Sequence, residues 1–296
     1  MSSASGIISV HDYVRLELTD ASNKVARRFR EIALPLYRHG QGVLVHVGTA
    51  FVIEHSGENY LLTAAHVLDH AASGTLYIGN RNLLVAVEGV FRVTVAPKGV
   101  RAKDHFDFAW LRLEGSMAER LGKVCHVSAC DISLNRVDPV GRVYWAVGYP
   151  NSKNRPRLGC KSVSPRRFTY YSTSVFKEAL LQRLQLDGST HLMVGFGKKS
   201  RDEQGSIVDS IELRGISGGP LFDLGNVILE GKGQKPLLSG LVIEHYKQDQ
   251  VIVAVRIDLV RSTIDADSGI ALRAEVEECD ELKMDRAKFF TRSGER

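Results

Sequence analysis

An all-β molecule is the fold class this sequence predicts, and three observations predict it. Short apolar runs are split by turn residues, 27 glycines punctuate the chain, and the stretch from Val43 to Ile53 is β-branched with period-two alternation. With 296 residues and 44% apolar content the chain can bury a full core, as one large β unit or two small domains.

Taken in order, the segment 19–33 places Val25, Ala26, Phe29, Ile32 and Ala33 at helical spacing, so a helix is expected there, ended by Pro35. Strands are expected over Val43–Ile53, Tyr60–Thr63, Thr75–Ile78, Leu83–Val95 and Phe108–Leu113, separated by turn-rich segments. A linker-like stretch follows. A second set of strands is expected over Val143–Val147, Arg167–Tyr171, His191–Phe196, Pro220–Phe222, Leu237–Ile243 and Val251–Ile257. Within that set, Val175, Phe176, Ala179, Leu180 and Leu184 suit an amphipathic helix. A short helix after Ile257 would take Asp258 as its N-cap, and the charged segment from Asp265 onward carries no clear pattern. The expected organisation is an N-terminal extension with a helix (1–34), a main domain (35–262, with halves at about 35–125 and 138–262) and a charged tail (263–296).

Composition removes several function classes. No secretory leader and no apolar run long enough to span a bilayer is visible, which predicts a soluble, cytoplasmic protein with no membrane partner. Cys125, Cys130, Cys160 and Cys279 are too few and scattered for a disulfide framework, and Cys125, Cys130 and His126 lack the second half of a zinc site, so no metal is expected. The net charge is +5. Lys153, Arg155, Arg157, Lys161, Arg166 and Arg167 cluster, but without interleaved aromatics they read as a solvated loop, not a nucleic-acid surface.

Three motifs carry chemistry: LLTAAHVL with His66, DFAWLRL with Asp107, and GISGGPLF with Ser217. They occur in the order His, Asp, Ser, separated by 41 and 110 residues, each at the edge of an expected strand. A serine hydroxyl is a weak nucleophile at neutral pH. It needs a general base, and the base needs a third group to fix its tautomer and stabilise the imidazolium. Ser217, His66 and Asp107 suit those roles, while Asp104 is a nearby alternative acid. The glycines around Ser217 allow the amides of Gly215 and Ser217 to converge on an oxyanion, and Pro220 would fix the chain as it leaves the loop. GISGG also matches the nucleophile elbow of α/β-hydrolases, but that fold needs the His last, only His245 follows, and the alternating βα pattern is absent.

On these motifs, and on GTAFVI (Gly48 to Ile53) and WAVGYP (Trp145 to Pro150), the sequence resembles the trypsin-like, chymotrypsin-fold serine peptidases, including the Deg/HtrA-type branch, from about residue 35 to 262. The resemblance implies two antiparallel six-stranded β-barrels with the site in the cleft between them, no cofactor, and a protein or peptide substrate. It also implies a specificity pocket with Ile211 at its base, Glu212 adjacent and Ile243 to His245 on a wall. An apolar base favours a small or apolar residue before the scissile bond, whereas Glu212 would favour a basic one. The chain departs from secreted members in three places: Ile216 replaces the Asp used in zymogen activation, and Val67 and Leu213 replace disulfide cysteines, which fits a reducing compartment. Only about 34 residues follow the resemblance, too few for a PDZ module. The expected function is therefore a serine endopeptidase, latent or narrowly specific and open to a regulatory protein partner; the alternative is a catalytically silent binding or regulatory protein on the same fold.

Overall fold

The computed structural model describes residues 10–29, 31–40, 42–80, 83–121, 125–133, 138–154, 165–201, 207–226, 235–267 and 270–274. Helix α1 (Val10–Arg28) leads into β1 (Ala33–Gly40), β2 (Val43–His55) and β3 (Glu58–Ala64), and then into the short α2 (Ala65–Leu68). Next come β4 (Thr75–Asn80), β5 (Leu83–Ala86), β6 (Gly89–Val93), β7 (Phe108–Arg112), α3 (Gly115–Leu121) and β8 (His126–Val127). The second half holds β9 (Val143–Gly148), β10 (Phe168–Thr173), α4 (Glu178–Leu184) and β11 (His191–Gly195), followed by β12 (Lys199–Arg201) and β13 (Ile207–Asp209). It closes with β14 (Pro220–Asp223), β15 (Leu237–Tyr246), β16 (Val251–Arg256), α5 (Ile257–Asp265) and β17 (Ile270–Ala274).

These strands form two curled, almost wholly antiparallel sheets, the two β units that the sequence predicts. The second has the expected six strands, in the order β10-β9-β14-β15-β16-β11. The first has nine, the seven strands β1 to β7 with β17 added to β6 at one end and β8 parallel to β2. Strands β12 and β13 make a separate ribbon. The tail segment without a sequence pattern thus contributes a strand to the first sheet, with Leu272 opposite Phe91.

Four local expectations need correction. Helix α1 lies earlier than 19–33: Ile32 and Ala33 are buried, but at the entry to β1, whose first residue, Ala33, opposes Phe51. Sheet pairing wins over the helical periodicity there, and Pro35 lies inside β1, one residue outside the stretch that pairs with β4. The single strand expected over Leu83–Val95 is two, broken at Val87 and Glu88 just before Gly89, whose φ of 122° a side chain would rarely adopt and whose Cβ would meet Leu111 at 2.8 Å. Helix α5 has Arg256 at its N-cap, without a side-chain cap; Asp258 sits inside the first turn, where its charge suits the helix dipole.

Each sheet encloses an apolar core, Val52, Leu61, Val67 and Phe91 in the first and Tyr144, Leu192, Val242 and Ile252 in the second. A third cluster joins the two sheets to α1 and α5, with Phe29 stacked on Phe222 at 4.2 Å between ring centroids and Trp145 beside them. The N-terminal helix is further tied by Arg28, which donates to both oxygens of Asp131 at 2.5 and 2.7 Å. Burial pushes the Asp131 carboxyl up, but the hydrogen bonds from Lys235 and Arg28 outweigh it and hold the group below its ordinary value. Phe29 is 3% exposed, so Phe29→Ala should cost about 3–5 kcal/mol in a urea unfolding titration; a loss below about 1 kcal/mol would show that the helix is not docked through this ring.

Candidate active site

The register of the first sheet brings His66 and Asp107 together. In the β3–β7 ladder Ala64 opposes Phe108, and the pairing continues one step beyond both strands, where the Ala65 amide donates to the Asp107 carbonyl at 2.9 Å. His66 is the next residue, in α2. Its backbone N–H donates to Asp107 Oδ1 at 2.9 Å, and its Nδ1 lies 2.5 Å from Oδ2. Because a carboxylate only accepts, Nδ1 carries the proton and Nε2 is left to act as a base.

Asp107 holds a backbone φ of 42°, a left-handed conformation that costs a non-glycine residue about 1–3 kcal/mol. Asp104 is what maintains it. One Asp104 oxygen accepts the amides of Phe106 and Asp107 at 3.2 and 3.1 Å, and the other accepts from Thr94 Oγ1 at 2.5 Å and from Arg101 at 2.6 Å. The alternative acid is therefore the organiser of the acid's loop. On the far side His191 Nε2 donates to the His105 carbonyl at 2.8 Å and its ring stacks on Phe106, bracing this loop against the second sheet.

Burial alone would lower the His66 pKa. The hydrogen bond and charge of Asp107 outweigh it, aided by Asp69 and Glu244, and the imidazole titrates above its ordinary value. The Asp107 carboxyl is itself raised by burial, which its bonds to His66 offset only in part.

Ser217 sits in the loop that leads into β14, and the bonding of that loop is decisive. The Ile216 amide donates to Leu213, Gly218 to Val242 and Gly219 to Ile216. The carbonyls are held as well: Gly215 accepts from Thr49 Oγ1 at 2.8 Å and Ser217 from the Thr49 amide at 2.9 Å. From Gly215 to Gly219, only the amides of Gly215 and Ser217 donate to no described residue. Two glycines make the path possible: a Cβ on Gly215 (φ 99°) would lie 2.2 Å from Asn151 Oδ1, and one on Gly218 (φ 86°) 2.0 Å from the Thr49 carbonyl.

His66, Asp107 and Ser217 line one cleft of about 880 Å³. Among the described residues no hydrogen bond joins His66 to Ser217. The same cleft is lined by Ile211, Glu212 and Ile243, which the sequence singles out, by Leu213 and Ile216, among the residues just before Ser217 that the sequence expects there, and by Phe196, which it does not nominate. Ile211 is half-buried and Glu212 exposed, whereas Ile243, Phe196, Leu213 and Ile216 are buried. Phe196 packs edge-on against His245 at 5.0 Å. Of the basic cluster, Arg155, Arg157 and Lys161 lie outside the described residues, and Lys153 lies over the Phe168 ring.

With this geometry in place, a comparison with known families is decisive: the model of the trypsin-like peptidase domain matches residues 48–229. The chain belongs to that family. No curated protein sequence matches it. Similar solved structures include a serine endoprotease from Yersinia pestis, 14% identical with a TM-score of 0.49, the match covering 83% of this chain and 65% of that one. The chain thus spans about two thirds, 65%, of that protein's length. The protease Anisep from Arthrobacter nicotinovorans is 11% identical with a TM-score of 0.46, over 80% of this chain and 94% of that one. A thermostable serine protease from an extremophilic microorganism is 14% identical with a TM-score of 0.46, over 80% and 96%.

Three residues of this trypsin-like domain escaped sequence reasoning. Thr49 is fully buried; besides its bonds to the Ser217 loop, its Oγ1 accepts the Tyr149 amide at 3.0 Å and its carbonyl accepts Thr63 Oγ1 at 2.7 Å. The run GTAFVI signals the family but not this role. Asn151 and His46, joined at 2.6 Å, carry no motif at all. Burial lowers the His46 pKa to about 4, below the value near 6.5 of an unfolded chain. Between those values the unfolded chain binds a proton that the folded protein refuses. Stability should therefore fall as pH drops from about 6.5 to 4, by up to about 3 kcal/mol; urea titrations across this range should show the slope, and His46→Phe should reduce it. Thr49→Val strands the Tyr149 amide and the Gly215 carbonyl, both buried, and should cost about 2–4 kcal/mol; a loss under about 1 kcal/mol in the same assay would contradict the role given to Thr49.

Proposed function

We propose that the protein is a serine endopeptidase acting through Ser217, His66 and Asp107. The observation that carries this reading is the pair of amides, Gly215 and Ser217, left without an acceptor among the described residues while those of Ile216, Gly218 and Gly219 are bonded. They flank the serine in a cleft shared with an imidazole oriented by a carboxylate.

In this mechanism His66 Nε2 removes the Ser217 proton as Oγ attacks the substrate carbonyl. The two amides bind the oxyanion, and His66 then gives the proton to the leaving amine. The acyl-enzyme on Ser217 Oγ is released by water, activated in turn by His66. No step calls on a metal or organic cofactor. The absence of a His66–Ser217 hydrogen bond supports a resting site that tightens when substrate fills the cleft, and so a peptidase that is latent or narrowly specific and under a partner's control.

Ile211, Ile243, Phe196, Leu213 and Ile216 would receive a small or apolar side chain before the scissile bond, with Glu212 at the rim. Residues 35–262 would form the peptidase unit, flanked by the N-terminal extension and the charged tail. The exposed free thiols of Cys125 and Cys130 fit work in a reducing compartment such as the cytoplasm. No described helix is long and apolar enough to cross a membrane.

A fluorophosphonate probe should label the wild type and not Ser217→Ala; labelling of both would remove Ser217 from its role. Asp107→Asn should lower kcat by about 10⁴. Because the base must be neutral and its pKa is raised, kcat/KM should rise with pH through a midpoint above 6.5; a midpoint well below that would contradict the Asp107 pairing. Substrates with Ala or Val before the cut should exceed those with Arg or Lys in kcat/KM.

A further inference from the structure

The Gly215 amide can serve an oxyanion only if the Arg214–Gly215 peptide faces the right way. In a trans peptide the N–H and C=O point in opposite directions, so the orientation is set by whatever holds the Arg214 carbonyl. That group is the backbone N–H of Asn151, which donates to it at 2.7 Å. A glycine offers little resistance to rotation of such a peptide, and Gly215 is packed so closely against Asn151 that a Cβ would lie 2.2 Å from its Oδ1. Asn151 is therefore both the grip on the carbonyl and the wall behind the glycine.

Asn151 is itself held by His46. The His46 imidazole, on β2, is 2% exposed, and its Nδ1 donates to Asn151 Oδ1 at 2.6 Å. With Nδ1 protonated, Nε2 is an acceptor, and it is buried without a partner among the described residues, as is the hydroxyl of Tyr37, whose ring meets the imidazole edge-on at 5.4 Å. A polar ring kept in such surroundings costs stability, and its side-chain partner is the residue that grips the oxyanion loop. Neither His46 nor Asn151 lines the cleft.

We infer that His46 is a positioning residue: through Asn151 it fixes the Arg214–Gly215 peptide in the orientation that frees the Gly215 amide for the oxyanion. The inference deepens the peptidase reading and rests on it for its kinetic consequence. The clamp itself is a statement about one peptide plane and can be read without turnover.

The test combines both readouts on the full chain. His46→Phe keeps the ring and loses the donor; Asn151→Ala loses the acceptor. Each should lower kcat about 10- to 100-fold, somewhat less than outright removal of an oxyanion donor, while KM changes less than about threefold. The double variant should be no slower than the worse single one, because both cut the same clamp. His46→Gln, which retains an N–H donor, should recover most of kcat and stands in if the Phe variant does not fold. In spectra of protein labelled with 15N-glycine, the Gly215 cross-peak should move in the clamp variants while that of Gly57, in a distant exposed turn, stays in place. Unchanged kcat, losses that multiply in the double variant, or an unmoved Gly215 resonance would overturn the inference. If the wild type neither labels nor cleaves, the peptidase reading fails instead, and the Gly215 resonance still decides the clamp.

Discussion

The Thr49 hydroxyl, amide and carbonyl together make the contact on which the rest of the site depends. The loop around Ser217 is irregular and largely buried, so its backbone groups need partners that no regular ladder supplies. Thr49 gives two of them, to Gly215 and Ser217, and binds Tyr149 at the end of β9 and Thr63 in β3. One side chain and one peptide of the first sheet thus set the backbone of a loop that belongs to the second. The two sheets are joined by polar bonds at the cleft and by apolar packing, Phe29 on Phe222, on the α1 side.

The same economy governs Asp107 and His66. The β3–β7 register alone delivers His66 to Asp107, and the price is a left-handed aspartate. That strain is sustained because Asp104 satisfies two amides of the turn while being satisfied by Thr94 and Arg101. A removal anywhere in this set acts on the His66 tautomer without touching the imidazole. The proposed oxyanion donor is reached in a similar way, through Asn151 and His46.

The sequence made the two β units legible because their strands are short, β-branched and bounded by turn residues. It also singled out His66, Asp107 and Ser217, which line one cleft in the fold, because each lies where a strand meets a loop and local composition must change. The position of α1 was misjudged because Ile32 and Ala33 satisfy helical periodicity and strand burial equally well, and only the pairing with Phe51 decides between them. Strand β17 was illegible since a five-residue edge strand in a charged segment is stabilised by its neighbour β6, not by its own pattern. Thr49, Asn151 and His46 were missed for a related reason: their bonds to the site and to one another reach across 63 to 168 positions of sequence, and nothing local in GTAFVI, YPNS or VLVHV marks it.

The central claim is that Ser217 and the two unpartnered amides form one reacting centre. A structure of the protein with a peptidyl boronic acid carrying an apolar side chain tests it most directly. The account predicts boron bonded to Ser217 Oγ, one boronate oxygen within about 3 Å of both the Gly215 and Ser217 amides, and the side chain among Ile211, Phe196 and Ile243. A boronate that bonds elsewhere, or bonds Ser217 with its oxygens turned from both amides, would contradict it.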